Sequence, residues 1–438
     1  MRSNRRILFP LFVAAALLTS GSLPAVAQTD QQTQTDQQTQ TTGQRGRAVR
    51  REATGAVPAG LTFTPFVLFS TRYDDNIFSS TSTPESDTIL SLTPGFDMTY
   101  LSPRTGFNFN YNITADKYAR HSELSSWDES QGGSIGVNHW FTSRFNAGIQ
   151  GSYRVTHNPG QLSPTTGLVL SRSRATQATI QPEFVYDFTA LTSMEVFYQR
   201  IRDNLAGFGR TSTGIASGTI SHELSPRDTL QFRFQNFYYG FNNGGSESSN
   251  LLMVGWNHAL SRTANLLLSA GPRDTEGRVV PEILASIGYQ PGNNAYSLAY
   301  QRTQTVVVGQ REVIDVQGLT ASFTFAPAHS WRITFAPAYF HDSGPGISAN
   351  VYQLGFSAWY RFARDWSVGL TDEYQLQHGV FDVAGSPTLR RNVVGISLRF
   401  GLPIRGGNVL QGEEPLPLQG IENRRMPRPA PPGESRAQ

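Results

Sequence analysis

The side chains best suited to chemistry are eight histidines and one acidic cluster. His121, His139, His157, His222, His258, His329, His341 and His378 stand singly, without the His-x-x-x-His or carboxylate spacings that gather metal ligands. Four of them, His121, His157, His341 and His378, fall where polar connections begin. A Ser-His-Asp or Asp-His hydrolase assembled at a rim is therefore the enzyme these residue types permit, since such sites depend on geometry rather than order. No nucleophile elbow accompanies them, and solvated loop histidines explain the pattern more simply. The acidic cluster is Tyr73-Asp74-Asp75-Asn76-Ile77-Phe78. Three oxygen-bearing side chains in succession suggest Ca²⁺, but neighbours in an extended chain point apart, and an Asx turn capping a strand fits better. Neither a cofactor nor a metal is expected, and the lack of cysteine rules out disulfides and thiolate sites.

The elements that would hold these groups follow a two-residue alternation, clearest from Ser348 to Gln377. Tyr352, Leu354, Phe356, Ala358, Tyr360 and Phe362 alternate with Gln353, Gly355, Ser357, Trp359 and Arg361. Ala363-Arg364-Asp365 reverses the chain, and Trp366, Val368 and Leu370 then alternate with Ser367, Gly369, Thr371 and Glu373. A period of two makes each arm a strand with two unlike faces. One face carries bulky aromatics, and the other is too polar and too small for a packed core. Turning the first to lipid and the second to a wet lumen satisfies both.

The alternation runs from Leu61 to Phe400, with short turns such as Leu101-Ser102-Pro103-Arg104 and Leu224-Ser225-Pro226-Arg227 at one end. Longer polar connections, among them Asp74 to Asp87, Asn158 to Ser171, Thr305 to Arg311 and His378 to Pro387, lie at the other. The expected fold is all-β, a closed antiparallel transmembrane β-barrel of about 18 strands (range roughly 16 to 18), with both termini periplasmic. A propeller or solenoid would instead bury its bulky face against protein. Before the barrel, residues 1–27 read as a signal peptide, with Arg2, Arg5 and Arg6 ahead of an apolar run and an Ala25-Val26-Ala27 cleavage site. Residues 28–60 read as a disordered Gln/Thr-rich periplasmic linker too short to fold as a plug, and 401–438 as a Pro-rich disordered periplasmic tail. A net charge of +3 with no basic run in the alternating region argues against nucleic acid as a partner. The expected partners are outer-membrane lipid and lipopolysaccharide and the outer-membrane assembly machinery.

Parity then names the side chains expected to line the lumen. On the third strand they are Asn108, Asn110 and Asn112, opposite Phe107, Phe109 and Tyr111; on the ninth they are Gln231, Arg233 and Gln235. The same rule adds Gln150, Ser152, Arg154, Glu195, Gln301, Arg332, Gln353, Arg361, Glu373 and Arg399. Amides, hydroxyls and charges of both signs describe a hydrated lining suited to neutral or weakly charged solutes and without strong ionic preference. The expectation is a passive channel, for small solutes or for a sugar polymer; a rim hydrolase or a structural or adhesive surface barrel are the other readings.

The segment Tyr73 to Phe78, at the outer end of the first strand of a plugless barrel, resembles the Tyr-Asp-Asp-Asn-hydrophobic signature of the β-barrel porin 2 family. That resemblance implies a porin-like barrel associated with exopolysaccharide synthesis and export, with periplasmic polysaccharide-export proteins as partners. The last strand ends Ile396-Ser397-Leu398-Arg399-Phe400, similar to the terminal aromatic signal read by the assembly machinery, but here further chain follows it.

Overall fold

The computed structural model describes residues 60–241, 245–309, 312–381, 388–401 and 404–406. The expected signal peptide, all of the linker but Gly60, and the tail apart from residues 401 and 404–406 lie outside the described residues.

Eighteen long strands follow one another in the chain. The first six are β1 (Gly60–Asp74), β2 (Asp87–Leu101), β3 (Thr105–Tyr118), β4 (Ser126–Trp140), β5 (Phe145–Thr156) and β6 (Ala175–Asp187). The next six are β7 (Thr192–Leu205), β8 (Gly209–Glu223), β9 (Asp228–Phe241), β10 (Ser246–His258), β11 (Ala264–Thr275) and β12 (Arg278–Tyr289). The last six are β13 (Ala295–Val306), β14 (Val313–Phe325), β15 (Trp331–Gly344), β16 (Ile347–Ala363), β17 (Trp366–Phe381) and β18 (Thr388–Gly401). Each pairs antiparallel with the next, and β1 pairs with β18 from Phe66↔Gly401 to Asp74↔Val393, so the sheet closes on itself. A three-residue strand, β19 (Ile404–Gly406), continues beyond β18 against Leu61 to Phe63. The sheet thus extends a few residues into the stretch read from sequence as tail.

Closure leaves no edge strand, which a sheet crossing lipid requires because unpaired N–H and C=O groups find no partner there; β12 and β13 part at the loop end, beyond Ile283↔Arg302. The register also settles the faces. Phe63 pairs with Met98 and Phe69 with Leu92, while Met98 pairs with Phe109 and Tyr100 with Phe107. Exposed large hydrophobics of the strands such as Ile149, Phe184, Phe232, Leu252, Leu298 and Leu370 fall on this one face. A continuous exposed apolar belt is costly in water and neutral in hydrocarbon. No helix among the described residues is long and apolar enough to cross a membrane; the strands make the crossing.

The seam between the first and last strands is clasped by the acidic cluster. Asp74 is buried and accepts from Arg391 at 2.6 Å. Its Oδ1 also accepts from the Asn76 amide at 3.0 Å, which is the Asx turn. Asp75 Oδ1 accepts from the Asn392 amide at 2.6 Å, and Asn76 Nδ2 donates to the Arg390 carbonyl at 3.1 Å. Tyr73 stays outside at the rim, Ile77 packs on Ile89 and Tyr118, and Phe78 meets the His121 ring edge-on. The cluster's oxygens are therefore spent on closing the barrel, and no metal-holding group of His, Asp and Glu occurs among the described residues.

The lumen and its constriction

The inner face changes character along the strands. On β3 the register places Asn108, Asn110 and Asn112 opposite Gly136, Ser134 and Gly132, with Asn110 Nδ2 donating to Ser134 Oγ at 2.7 Å. On β9, Gln231, Arg233 and Gln235 are inward, and Gln235 Nε2 reaches Ser217 Oγ at 3.3 Å. Glu195 and Arg233 share one row across β7, β8 and β9, through Thr219. Gln150, Ser152 and Arg154 on β5, Gln301 on β13, Arg332 on β15, Gln353 and Arg361 on β16, Glu373 on β17 and Arg399 on β18 also lie opposite the exposed aromatics. Arg399 sits 4.5 Å over the Phe66 ring and 3.7 Å from Asp97, and Arg361 donates to the His329 carbonyl at the turn end.

Nearer the long loops the inward positions become apolar, which corrects the expectation of a polar lining throughout. On β9, Phe237, Tyr239 and Phe241 succeed the amides and pack with Leu251, Met253, Leu267 and Leu284. On β14 to β16 the inward residues are Ile314, Val316, Ala338, Phe340, Ala349 and Val351, all buried. Side chains inside a barrel of this width meet water unless something covers them.

The covering is chain folded inwards. The β5–β6 loop, residues 157–174, crosses the lumen to the β15–β17 wall. Leu168 joins the apolar cluster of Phe340 and Val316, Gln353 Nε2 donates to the Gly167 carbonyl at 2.7 Å, and Val169 N donates to Gln377 Oε1 at 2.9 Å. Gly167 has φ +62° and lies so close to Phe340 that a Cβ would come within 2.4 Å of the ring, so glycine is required at this contact. From the opposite side the β13–β14 loop contributes Val307 to the same cluster and Val308 to a second one with Leu162, Ala175 and Leu205. Val308 N donates to Ser163 Oγ at 3.3 Å, joining the two loops. Beneath residues 158–170 remains an internal cleft of about 110 Å³, walled by Gln353, Ser357, Thr371, Glu373, Gln375 and Arg391.

Charged pairs anchor the loops and wall. Arg172, on the inserted loop, pairs with buried Glu129 at 2.7 Å and lies 5.3 Å over Tyr118. Arg72 pairs with Asp116 and donates to Ser91 at 2.9 Å. Across the lumen Arg273 is fully buried, bonded to Ser249 at 2.8 Å, Glu282 at 2.9 Å and Tyr239, with the Phe237 ring 4.1 Å away. Parity on β1, β3 and β11 places Arg72, Asp116 and Arg273 inward, so period two held the signal; the Arg172–Glu129 pair had none, because it depends on where a loop folds.

At the outer rim Asp87 accepts from the amides of Thr88, Ala119, Arg120 and His121 and bonds the His121 ring at 2.9 Å. Burial alone would raise this carboxyl, but the hydrogen bonds from His121, Arg120 and Thr88 outweigh it and bring it down to about 2. The bonds to Asp87, then Glu85, hold His121 above its ordinary value.

The closed sheet, the apolar belt and the polar inner face define a membrane-spanning β-barrel of the outer-membrane type with a loop-narrowed lumen. No family model matches the sequence and no curated protein matches it, so the likeness at Tyr73 to Phe78 rests on those six residues. Solved structures similar to this chain include OccAB4 from Acinetobacter baumannii, with 8% identity, covering 80% of this chain and 99% of that one, TM-score 0.43. A BenF-like porin from Pseudomonas fluorescens matches at 9% identity over 79% of this chain and 100% of its own, TM-score 0.43. OccK11 from Pseudomonas aeruginosa matches at 10% identity over 78% and 96%, TM-score 0.42. Likeness this loose carries no functional argument, which rests on the geometry above.

Proposed function

We propose that this protein is a passive aqueous channel of the bacterial outer membrane for small hydrophilic solutes. The carrying observation is the combination of an amide- and charge-lined half lumen with two loops that narrow the other half. Carboxylates and guanidinium groups share the inner face, so the passage discriminates by size more than by charge. Full-length protein in planar bilayers should give discrete ohmic steps, and vesicles containing it should swell in small sugars. Silent bilayers together with lipid or peptide hydrolysis would replace this reading with the rim-enzyme one.

The finer reading, an exit for exopolysaccharide working with periplasmic export proteins, is supported by the resemblance at Tyr73 to Phe78 and by the amides on the inner face of β3 and β9. It requires residues 157–174 to swing aside for a polymer, which the diffusion channel does not. Deleting the gene decides between them: lost surface polysaccharide with normal solute uptake supports export, and the converse supports diffusion.

A further inference from the structure

The lipid-facing side of β6, β7 and β8 is unlike the rest of the wall. Its outward positions carry no Asp or Glu, yet near the loop end they carry three arginines, Arg200, Arg202 and Arg210. Arg200 lies between Ile180 and Gly214, Arg202 between Ala178 and Ser212, and Arg210 faces Asn204. Ile180 is among the exposed hydrophobics, which fixes this as the outer surface. Arg202 and Arg210 are exposed and make no ion pair among the described residues. Arg200 reaches only Ser212 Oγ, at 3.3 Å, and its Nε is buried without a partner. Elsewhere at the same rim Arg174 pairs with Asp128 and Arg278 with Asp315, while Arg390 stacks singly over the Tyr374 ring at 5.5 Å.

Tyr153, Tyr198 and Tyr238, each nearly half exposed, flank the group on the outward face, as interfacial aromatics do at headgroup level. Between them the outward positions are the small residues Ala178, Ala216 and Gly240, a low shelf bounded at Gly214 by the Tyr198 ring that lies against it. Residues two apart on a strand are about 6.7 Å from one another, so Arg200 and Arg202 can close on one tetrahedral anion with Arg210 beside them. Unpaired guanidinium groups on a lipid-facing wall are costly in hydrocarbon and stable only against anions at the headgroups.

We propose that Arg200, Arg202 and Arg210 form a binding site for the phosphate groups of a phosphorylated glycolipid of the outer leaflet, whose acyl chains lie on the shelf between the tyrosines. The inference rests on the barrel's placement in an outer membrane but not on what it conducts. To test it, full-length protein in detergent is titrated with purified short-core lipopolysaccharide and with the same lipid stripped of phosphate, and bound lipid is counted by native mass spectrometry. Wild type should prefer the phosphorylated lipid by about tenfold or more. The R200Q/R202Q/R210Q variant should lose that preference while keeping wild-type single-channel conductance, which reports a folded barrel. Should the triple variant fail to fold, R202Q and R210Q separately should each weaken binding severalfold. Equal binding of the stripped lipid, unchanged preference in the folded variants, or displacement of the lipid by millimolar inorganic phosphate would overturn the proposal.

Discussion

The two halves of the lumen are built from the same strands and enclose different interiors. On β9, Gln231, Arg233 and Gln235 at the turn end give way to Phe237, Tyr239 and Phe241 at the loop end. On β15 Arg332 and Thr334 give way to Ala338 and Phe340, and on β16 Ser357 and Trp359 to Ala349 and Val351. The amide-rich half solvates itself. The apolar half would be unstable against water, and the inserted loops supply the missing packing through Leu168, Val307 and Val308. This barrel is therefore a wide tube at one end and a small folded core at the other, and the junction sets its permeability.

The largest effect should come from removing that core. Replacing residues 159–170 with a short Gly/Ser linker should raise single-channel conductance severalfold in planar bilayers, because the loop crosses the lumen to the β15–β17 wall and the β13–β14 loop leans on it through Leu162 and Ser163. Unchanged conductance would mean that the loop is not the constriction. Next is the seam. Arg391→Ala leaves the buried Asp74 carboxylate without its partner and should cost about 3–5 kcal/mol, read as a lower unfolding temperature in detergent. Barrels that remain closed should conduct normally, which separates the seam from the constriction.

A smaller change is expected in the cleft, where Gln375 Nε2 donates to Glu373 at 2.5 Å. Glu373→Gln should shift the reversal potential modestly towards anions and leave conductance nearly unchanged; a large change in conductance would show that one carboxylate dominates the passage. The smallest effect belongs to the outer rim. Asp87, lowered to about 2, contributes stability in full above its ordinary value of 3.8 and loses it as pH falls through about 2. His121, raised above 6.5, contributes in full below that value and loses its share as pH rises through its folded value. Between pH 3.8 and 6.5 the clasp is complete, so protease cleavage within residues 119–125 should be slowest in that window; in His121→Gln the rise on the alkaline side should vanish, while the rise on the acid side, carried by the amides that Asp87 still accepts from, should remain.

The wall was legible because period two is a local property. The alternation of Tyr352 to Phe362 against Gln353 to Arg361 gives the face of every residue once the sheet closes, and the pairing of short turns with long connections gives the strand number. The acidic cluster was half legible: an Asx turn follows from Asp74 and Asn76, but the bond to Arg391 joins residues 317 apart and has no local trace. The constriction was not legible. Residues 157–174 are Gly-, Pro- and Ser-rich like any surface loop, and their inward course is fixed by Gly167 against Phe340 and by Arg172 against Glu129. The inner apolar patches did leave a trace, since Phe237, Tyr239 and Phe241 continue the parity of Gln231 to Gln235. An inward aromatic run in a wide barrel signals that something covers it.

Polymer access from the two sides tests the two-part lumen most directly. Neutral polyethylene glycols of graded size are added to one side of an oriented bilayer at a time, and the size at which each stops lowering single-channel conductance is read. Larger polymers should enter from the side of the short turns than from the side of the loops, and deleting residues 159–170 should bring the two limits closer together. Equal limits in the wild type, or deeper entry from the loop side, would contradict the two-part lumen.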